Sequence, residues 1–430
     1  LNAWASLLNA RLTATEINKL KDHARPKIIV FTSAVSSAAT SHAEDRNAVI
    51  CRGSFGEVMV ASNHEASAPE EVLISGKEQV AVLLYTTGTT GMPKGVMLTH
   101  YNLIYAAKVS SELRGLEAGD HLLLVLPMTH VFGLASVTLA ALKAGTTVEL
   151  MARFEPAPIF EALSTRVTSF PAVPQMHAQL IKYAKEQAIE KLDAPKLRYV
   201  SSGGAPLDPD WKASVEAFLG CPVCNGYGLT ETSAGVAATS REEAIGNISV
   251  GPPLPGHEIK LIPPPGQSEL KDGVGEILIK GPNIMKGYYN NVEETTKALD
   301  ADGWFYSGDL GSIDEKGHLS IVGRCKELII RSGFNVYPPE VEATLTEHDD
   351  VVQAAVVGKA EANGNEEVLA FVEVLAGSTV TTTNLDTFVR ERMVAYKRPS
   401  RIFIVEKLPA AATGKILKFK VLDTFADLVG

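Results

Sequence analysis

A chain of 430 residues is too long for one compact core and predicts two or three folding units. With 45% hydrophobic and 21% charged residues it reads as an ordinary soluble protein, and a formal charge of −10 argues against a nucleic-acid binder, which needs a basic face. No apolar run is long enough to span a bilayer, no signal peptide is read, and the four cysteines offer no disulfide framework, so the expected setting is reducing and cytoplasmic. Cys221 and Cys224 form a CxxC without a second metal-binding pair and are read as structural.

In chain order, Thr13 to His23 forms a helix pattern, with Thr13 and Glu16 at the spacing of a capping box. A strand pattern follows at Lys27 to Phe31, and the small polar residues from Ser33 to Ala68 read as a loop. Gln79 to Tyr85 is a buried-strand pattern. After a Thr/Gly-rich stretch come a short apolar strand, Val96 to Leu98, a helix cap at Thr99 and a helix from Tyr101 to Arg114. Strands at Asp120–Leu126, Thr147–Leu150, Thr168–Phe170 and Leu197–Ser201 then alternate with helices at Leu134–Lys143, Pro156–Arg166 and Pro174–Glu186. That alternation predicts an α/β fold with a largely parallel sheet. From Gly251 to Gly323, short strands broken by Gly and Pro predict a small β-rich subdomain. Beyond Arg324, a helix at Pro339–Thr346 and strands at Val352–Val357 and Val368–Val374 predict a small α+β domain, with a turn at Asn363-Gly364-Asn365.

The strongest chemical signal is the loop Thr86-Thr87-Gly88-Thr89-Thr90-Gly91, closed by Met92, Pro93 and Lys94. Its glycines allow close backbone approach, so successive N–H groups can face an anion; the threonine hydroxyls add donors and Lys94 adds a mobile positive charge. The loop is not of the GxxxxGK[ST] type, because Pro93 stands where that pattern wants its second glycine.

Tyr85 to Gly95 resembles the phosphate-binding signature of the adenylate-forming superfamily, which holds acyl- and aryl-CoA synthetases, luciferases and nonribosomal adenylation domains. Further segments resemble that superfamily in the same order: Ser202-Gly203-Gly204-Ala205-Pro206-Leu207, Asn225-Gly226-Tyr227-Gly228-Leu229-Thr230-Glu231, Tyr306-Ser307-Gly308-Asp309-Leu310, Gly323-Arg324-Cys325-Lys326-Glu327 with Gly333, and Gly414-Lys415. The resemblance implies a large AMP-binding N-terminal domain, 1–325, made of α/β subdomains and the small β-rich one, followed by a mobile α+β lid, 326–430.

The resemblance also implies roles. Gly203 to Pro206 and Asn225 to Gly228 would form the adenine side, with Tyr227 stacking on the base. Thr230 would meet phosphate and Glu231 would hold Mg²⁺, which prefers hard oxygen ligands. Asp309 and Arg324 would hold the ribose, Lys326 would be the interdomain hinge, and Gly333 would line the pantetheine tunnel. Lys415 would bridge carboxylate and α-phosphate during adenylation, where two anions must be brought together. His130, within Pro127 to Leu134, would gate the acid pocket or contact the carboxylate. Phe132, Val131, Met128 and the Gly235-Val236-Ala237 run point to an apolar acid.

The expected function is therefore an ATP-dependent acid:CoA ligase acting on a medium- or long-chain fatty acid, with ATP, Mg²⁺ and coenzyme A as cofactors. A 4-coumarate-type aryl ligase and an inactive AMP-binding relative are the alternatives. Expected partners are the small acid, ATP and CoA, without nucleic acid or a transmembrane segment, leaving room for peripheral membrane contact, in a monomer or homodimer. The chain opens on Leu1 and its phosphate loop begins at residue 86, earlier than in that superfamily, so the first part of the N-terminal domain is expected to lie outside this sequence.

Overall fold

A computed structural model describes residues 3–63, 68, 71–86, 93–204, 207–244, 246–332, 334–361, 365–410 and 416–430. The chain divides into two compact units, Leu1–Ile259 with Ile279–Phe305 and Glu315–Leu319, and Lys260–Leu278 with Tyr306–Asp314 and Ser320–Gly430. The boundary read at 325/326 lies inside the second unit, which also takes in the 260–278 and 306–314 segments.

In the first unit the central element is a six-stranded sheet ordered Ala234–Ala238, Val223–Leu229, Tyr199–Gly203, Ser169–Ala172, His121–Leu124, Thr147–Leu150. All its pairings are parallel except that of the first two strands. Its helices Pro156–Thr165, Pro174–Glu186 and Pro209–Leu219 each begin with proline, whose fixed φ and missing N–H suit the first helical position. Asp208 caps the last of these by accepting from Trp211 N at 2.8 Å, and Gly220 ends it in the left-handed region. Phe170, Ile159, Leu163, Leu180, Val200, Val215 and Val223 fill the core between sheet and helices. Ser169–Ala172 and Tyr199–Gly203 are buried throughout, whereas the edge strand Thr147–Leu150 is exposed at both ends.

A second sheet is ordered Ala5–Ser6, Val80–Thr86, Lys94–Thr99, Gly287–Tyr288. Val80–Thr86 and Lys94–Thr99 pair antiparallel, so the Thr/Gly loop is the connection of a hairpin whose rims are Thr86 and Lys94. The Thr13–Glu16 capping box forms, with Thr13 N donating to Glu16 Oε2 at 2.7 Å and Glu16 N donating to Thr13 Oγ1 at 3.3 Å.

The 33–68 loop expectation is corrected. Helix Ser37–Glu44 and strands Val49–Gly53 and Gly56–Ser62 lie there, and the strands complete a three-stranded sheet with Ile28–Phe31. Val49–Gly53 is exposed along its whole length, so it carries no alternation of apolar and polar residues that would betray a strand. The helix expected from Leu134 is a π-helical stretch, Phe132–Leu139, continued by helix Ala140–Ala144.

The second unit holds most of the sheet Glu258–Ile262, Gly275–Lys280, Phe305–Ile313, Leu319–Arg324. Its later part pairs Val351–Ala360 antiparallel with Glu366–Val374, which runs parallel to Arg401–Val405. Helices Pro338–Thr346 and Thr382–Arg392 pack Val341, Leu345, Leu385 and Val389 against Val356, Val368 and Val372. The expected turn at Asn363-Gly364-Asn365 lies largely outside the described residues. Among the described residues no helix is long and apolar enough to cross a membrane.

Candidate active site

In open α/β sheets ligands settle beyond the carboxyl ends of the strands, where strand order reverses. Here the order reverses between His121–Leu124 and Ser169–Ala172. The segment bearing His130 follows the first of these, and the Gly203 and Asn225 motifs end the neighbouring strands. Ser202 lies opposite Asn225 and Gly203 opposite Gly226, so two distant motifs share one edge by strand pairing. A Cβ on Gly203 would come 3.3 Å from Phe132 Cε1, which places the Phe132 ring against the same edge. Gly204 adopts φ +81, and Ala205 and Pro206 lie outside the described residues.

The strand Val223–Leu229 turns back into Ala234–Ala238 through a single tight turn, Thr230–Thr232. Gly228 makes the turn feasible: a Cβ there would stand 1.9 Å from the Ala234 carbonyl oxygen. Thr232 Oγ1 accepts from Leu229 N at 2.9 Å and donates to Ala234 O at 2.7 Å, and Met285 N donates to Glu231 O at 2.8 Å. Thr230 and Glu231 are therefore held by their backbone, leaving both side chains half-buried at the surface. Tyr227 is half-buried beside them. Asn225 is buried and pins the loop behind, its amide donating to Ile248 O at 3.0 Å and Ser249 O at 3.2 Å.

Glu231 and Lys94 are joined through Tyr288. The Tyr288 hydroxyl donates to Glu231 Oε1 at 2.9 Å, and Lys94 Nζ lies 4.7 Å from the centre of the Tyr288 ring. Burial, then the neighbouring Glu231 carboxylate, pushes the Tyr288 phenol well above its ordinary range, so it stays a donor. The arrangement exists because Gly287–Tyr288 pairs antiparallel with Lys94–Thr99, with Tyr288 opposite Val96. Lys94 also forms an ion pair with Glu294, from the first turn of helix Val292–Ala298. Thr86 lies opposite Lys94 across the hairpin, and Thr87, Gly88, Thr89, Thr90 and Gly91 lie outside the described residues. Tyr85, at the hairpin rim, shares a 2.8 Å hydrogen bond with His23 Nδ1.

His130 is exposed, and its Nδ1 accepts from Phe132 N at 3.2 Å, which puts the proton of the neutral ring on Nε2. Gly133 permits the tight entry into the π-helical stretch: a Cβ there would meet Pro127 O at 2.5 Å. Of the apolar residues read as lining an acid pocket, Val131, Val236 and Ala237 are almost wholly buried, while Met128 is 41% exposed.

The second unit carries its own cluster. Asp309 is buried, and Arg324 Nε lies 3.1 Å from its Oδ1. Asp309 N donates to Ser307 Oγ at 3.1 Å, and Gly308 N donates to Glu276 Oε1 at 3.2 Å. Burial, reinforced by Asp309, raises the Glu276 carboxyl, and burial beside both acids pushes the Cys325 thiol up to about 12. Lys326 is exposed and adjoins this cluster. Gly333 and Lys415 lie outside the described residues, but the chain on either side of Lys415 is anchored. Ala410 and Ile416 pair antiparallel, and Lys418 bridges Glu327 at 3.1 Å and Glu342 at 2.8 Å.

Among the described residues no group of three or more His, Cys, Asp or Glu side chains is placed to hold a metal. Glu231 alone still suits Mg²⁺, which takes one or two carboxylates and completes its shell with water and substrate phosphates. A half-buried carboxylate fixed by the Tyr288 hydroxyl fits that requirement. Cys221 and Cys224 are buried free thiols, and burial raises both, Cys224 to about 11. Sequence reasoning missed Tyr288, Glu294 and Glu276. No local spacing links position 94 to position 294, and the only cue was a pair of glutamates behind the helix cap Asn291.

The AMP-binding enzyme family matches residues 1–289, and the AMP-binding enzyme C-terminal domain matches residues 340–415. The chain is 35% identical over 437 residues to 4-coumarate–CoA ligase 1 of Solanum tuberosum, covering 97% of this chain and 79% of that protein. ATP-bound MatB from Rhodopseudomonas palustris superposes with a TM-score of 0.82 at 30% identity, over 98% of this chain and 84% of the other. O-succinylbenzoate coenzyme A synthetase from Bacillus subtilis, in complex with ATP and magnesium ion, does so at 0.73 and 31%, over 83% and 73%. By these matches the chain belongs to the AMP-binding enzymes of the adenylate-forming superfamily.

Proposed function

We propose that this chain joins an aromatic carboxylic acid to coenzyme A through an acyl-adenylate, with Lys94, Thr230, Glu231 and Lys415 as the groups that handle phosphate. As a member of its family it is an AMP-forming acid–thiol ligase that uses ATP, Mg²⁺ and CoA. The observation that carries the reading is the linkage Lys94–Tyr288–Glu231, in which one tyrosine meets a cation at its ring and a carboxylate at its hydroxyl.

In the first half-reaction a carboxylate oxygen attacks the α-phosphorus and pyrophosphate leaves. The carboxylate is already ionised at neutral pH, so no general base is required; the obstacle is repulsion between anions. Lys94 would neutralise the leaving phosphates and Lys415 would bridge the reacting oxygens. Glu231 would hold Mg²⁺, which when bound offsets charge on the phosphates. Asp309, buried and oriented by Arg324 and Ser307, would accept from ribose hydroxyls, and Tyr227 would offer a face to adenine. Gly203, Gly204 and Gly226 would keep that approach open, and Asn225 would act by pinning the loop. His130, with its proton on Nε2, would donate to the substrate carboxylate. In the second half-reaction the 326–430 segment would turn about Lys326, withdrawing Lys415 and admitting the thiol past Gly333.

The aromatic class is preferred over a fatty acid for two reasons. The 4-coumarate ligases are 35% identical over nearly the whole chain. Val131, Val236 and Ala237, read as pointing to an apolar acid, are buried in the core and so do not favour a fatty acid over an aromatic one. The test is a panel of hydroxycinnamic, benzoic, medium-chain and long-chain acids with ATP and CoA, scored for thioester by mass. Hydroxycinnamoyl thioester formed at the highest kcat/KM supports the reading; preference for a fatty acid overturns the substrate class and leaves the ligase chemistry standing.

A further inference from the structure

Glu294 stands where a phosphate-binding lysine should be available. It lies in the first turn of helix Val292–Ala298, fixed there by Asn291, whose Oδ1 accepts from Glu294 N at 3.0 Å. One carboxylate oxygen pairs with Lys94, and the other receives Lys297 Nζ at 3.0 Å. The two lysines are not equivalent: Lys297 is 61% exposed, whereas Lys94 and Glu294 are 22% and 29% exposed. Solvent therefore screens the Lys94 pair less than its neighbour. The Tyr288 ring lies 4.7 Å from the same ammonium, closing a further side. The hydrogen bond from Lys94, then that from Lys297, holds the Glu294 carboxyl down to about 2, so it is ionised wherever the protein is folded at ordinary pH.

We propose that Glu294 is a built-in competitor of ATP and pyrophosphate for the Lys94 ammonium, a positioning residue that weakens nucleotide binding and speeds release of the leaving group. This rests on the phosphate role proposed for Lys94. A polyphosphate reaching Lys94 must displace a carboxylate already bound there or sit beside it against like-charge repulsion, and either route costs affinity. When pyrophosphate departs, the same carboxylate recaptures the lysine and leaves no uncompensated cation behind. Among the described residues, Glu293 also meets Lys297 at 2.7 Å, and Glu231 accepts from the Tyr288 hydroxyl.

The experiment measures ATP and pyrophosphate binding calorimetrically, with Mg²⁺ and without acid, for wild type, Glu294→Gln, Lys94→Ala and the double variant. Glu294→Gln is expected to tighten both ligands by about threefold to tenfold. The KM values for acid and CoA should stay unchanged, and the gain should vanish in the Lys94→Ala background. Glu294→Ala should move affinity the same way. Unchanged or weaker ATP binding by both Glu294 variants, with Lys94→Ala weakening it, overturns the competitor role and leaves the Lys94 assignment intact. A fall in melting temperature without any tightening likewise marks Glu294 as structural only. If Lys94→Ala leaves ATP affinity unchanged, the phosphate role of Lys94 fails and this inference with it.

Discussion

Tyr288 shows how one side chain couples groups that the sequence lists far apart. Its hydroxyl orients Glu231 and its ring faces Lys94. Tyr288→Phe keeps the ring and removes the hydrogen bond, so it should raise the Mg²⁺ concentration needed for half-maximal rate by about threefold to tenfold, with little change in melting temperature. Rates titrated against free Mg²⁺ check this, and an unchanged requirement would remove Tyr288 from the site. His177 poses a separate question of stability. It is buried between Phe170 and Trp211, and burial lowers its pKa from 6.5 to about 4. The fold therefore keeps the neutral ring, while the unfolded chain takes up the proton first. The stability contribution should be full above about pH 6.5 and fall as pH drops toward 4, by up to about 3 kcal/mol. Denaturant titrations from pH 7 to pH 4 should show that slope in wild type and a shallower one in His177→Phe.

At the scale of elements, the strands were legible from short apolar runs such as Leu122–Leu124 set between helical patterns. Thr147–Leu150 and helix Pro174–Glu186 fall where the sequence puts them. Strand Val49–Gly53 was illegible for the opposite reason: it is exposed along its length and has no buried face to impose a period. The π-helical Phe132–Leu139 was read as an ordinary helix from Leu134, since apolar composition does not distinguish the two windings. The motif segments could be read one by one. Strand pairing, which lays Ser202 beside Asn225, and the ion pair of Lys94 with Glu294 could not, because both depend on register between distant segments. The turn that carries Thr230 and Glu231 yields a prediction at this scale. Gly228→Ala would drive a methyl group into the Ala234 carbonyl, 1.9 Å away. It should cost about 2 kcal/mol or more by denaturant unfolding and depress activity with it. A neutral effect on both would show that the turn has room the geometry denies.

For the whole molecule, the division of labour between half-reactions is the feature most open to test. Lys415→Ala should abolish adenylation yet still allow thioester formation from supplied acyl-adenylate and CoA, a loss of at least about a hundredfold in the first step alone. Equal loss in both steps would mean that this lysine does not serve the first half-reaction separately. The account as a whole stands on adenylate formation, and isotope exchange reads that step without the second. Purified chain, ATP, Mg²⁺ and labelled pyrophosphate should give label in ATP only when an acceptable carboxylic acid is added, with no need for CoA. ATP binding without exchange, across the full aromatic and aliphatic panel, would contradict it.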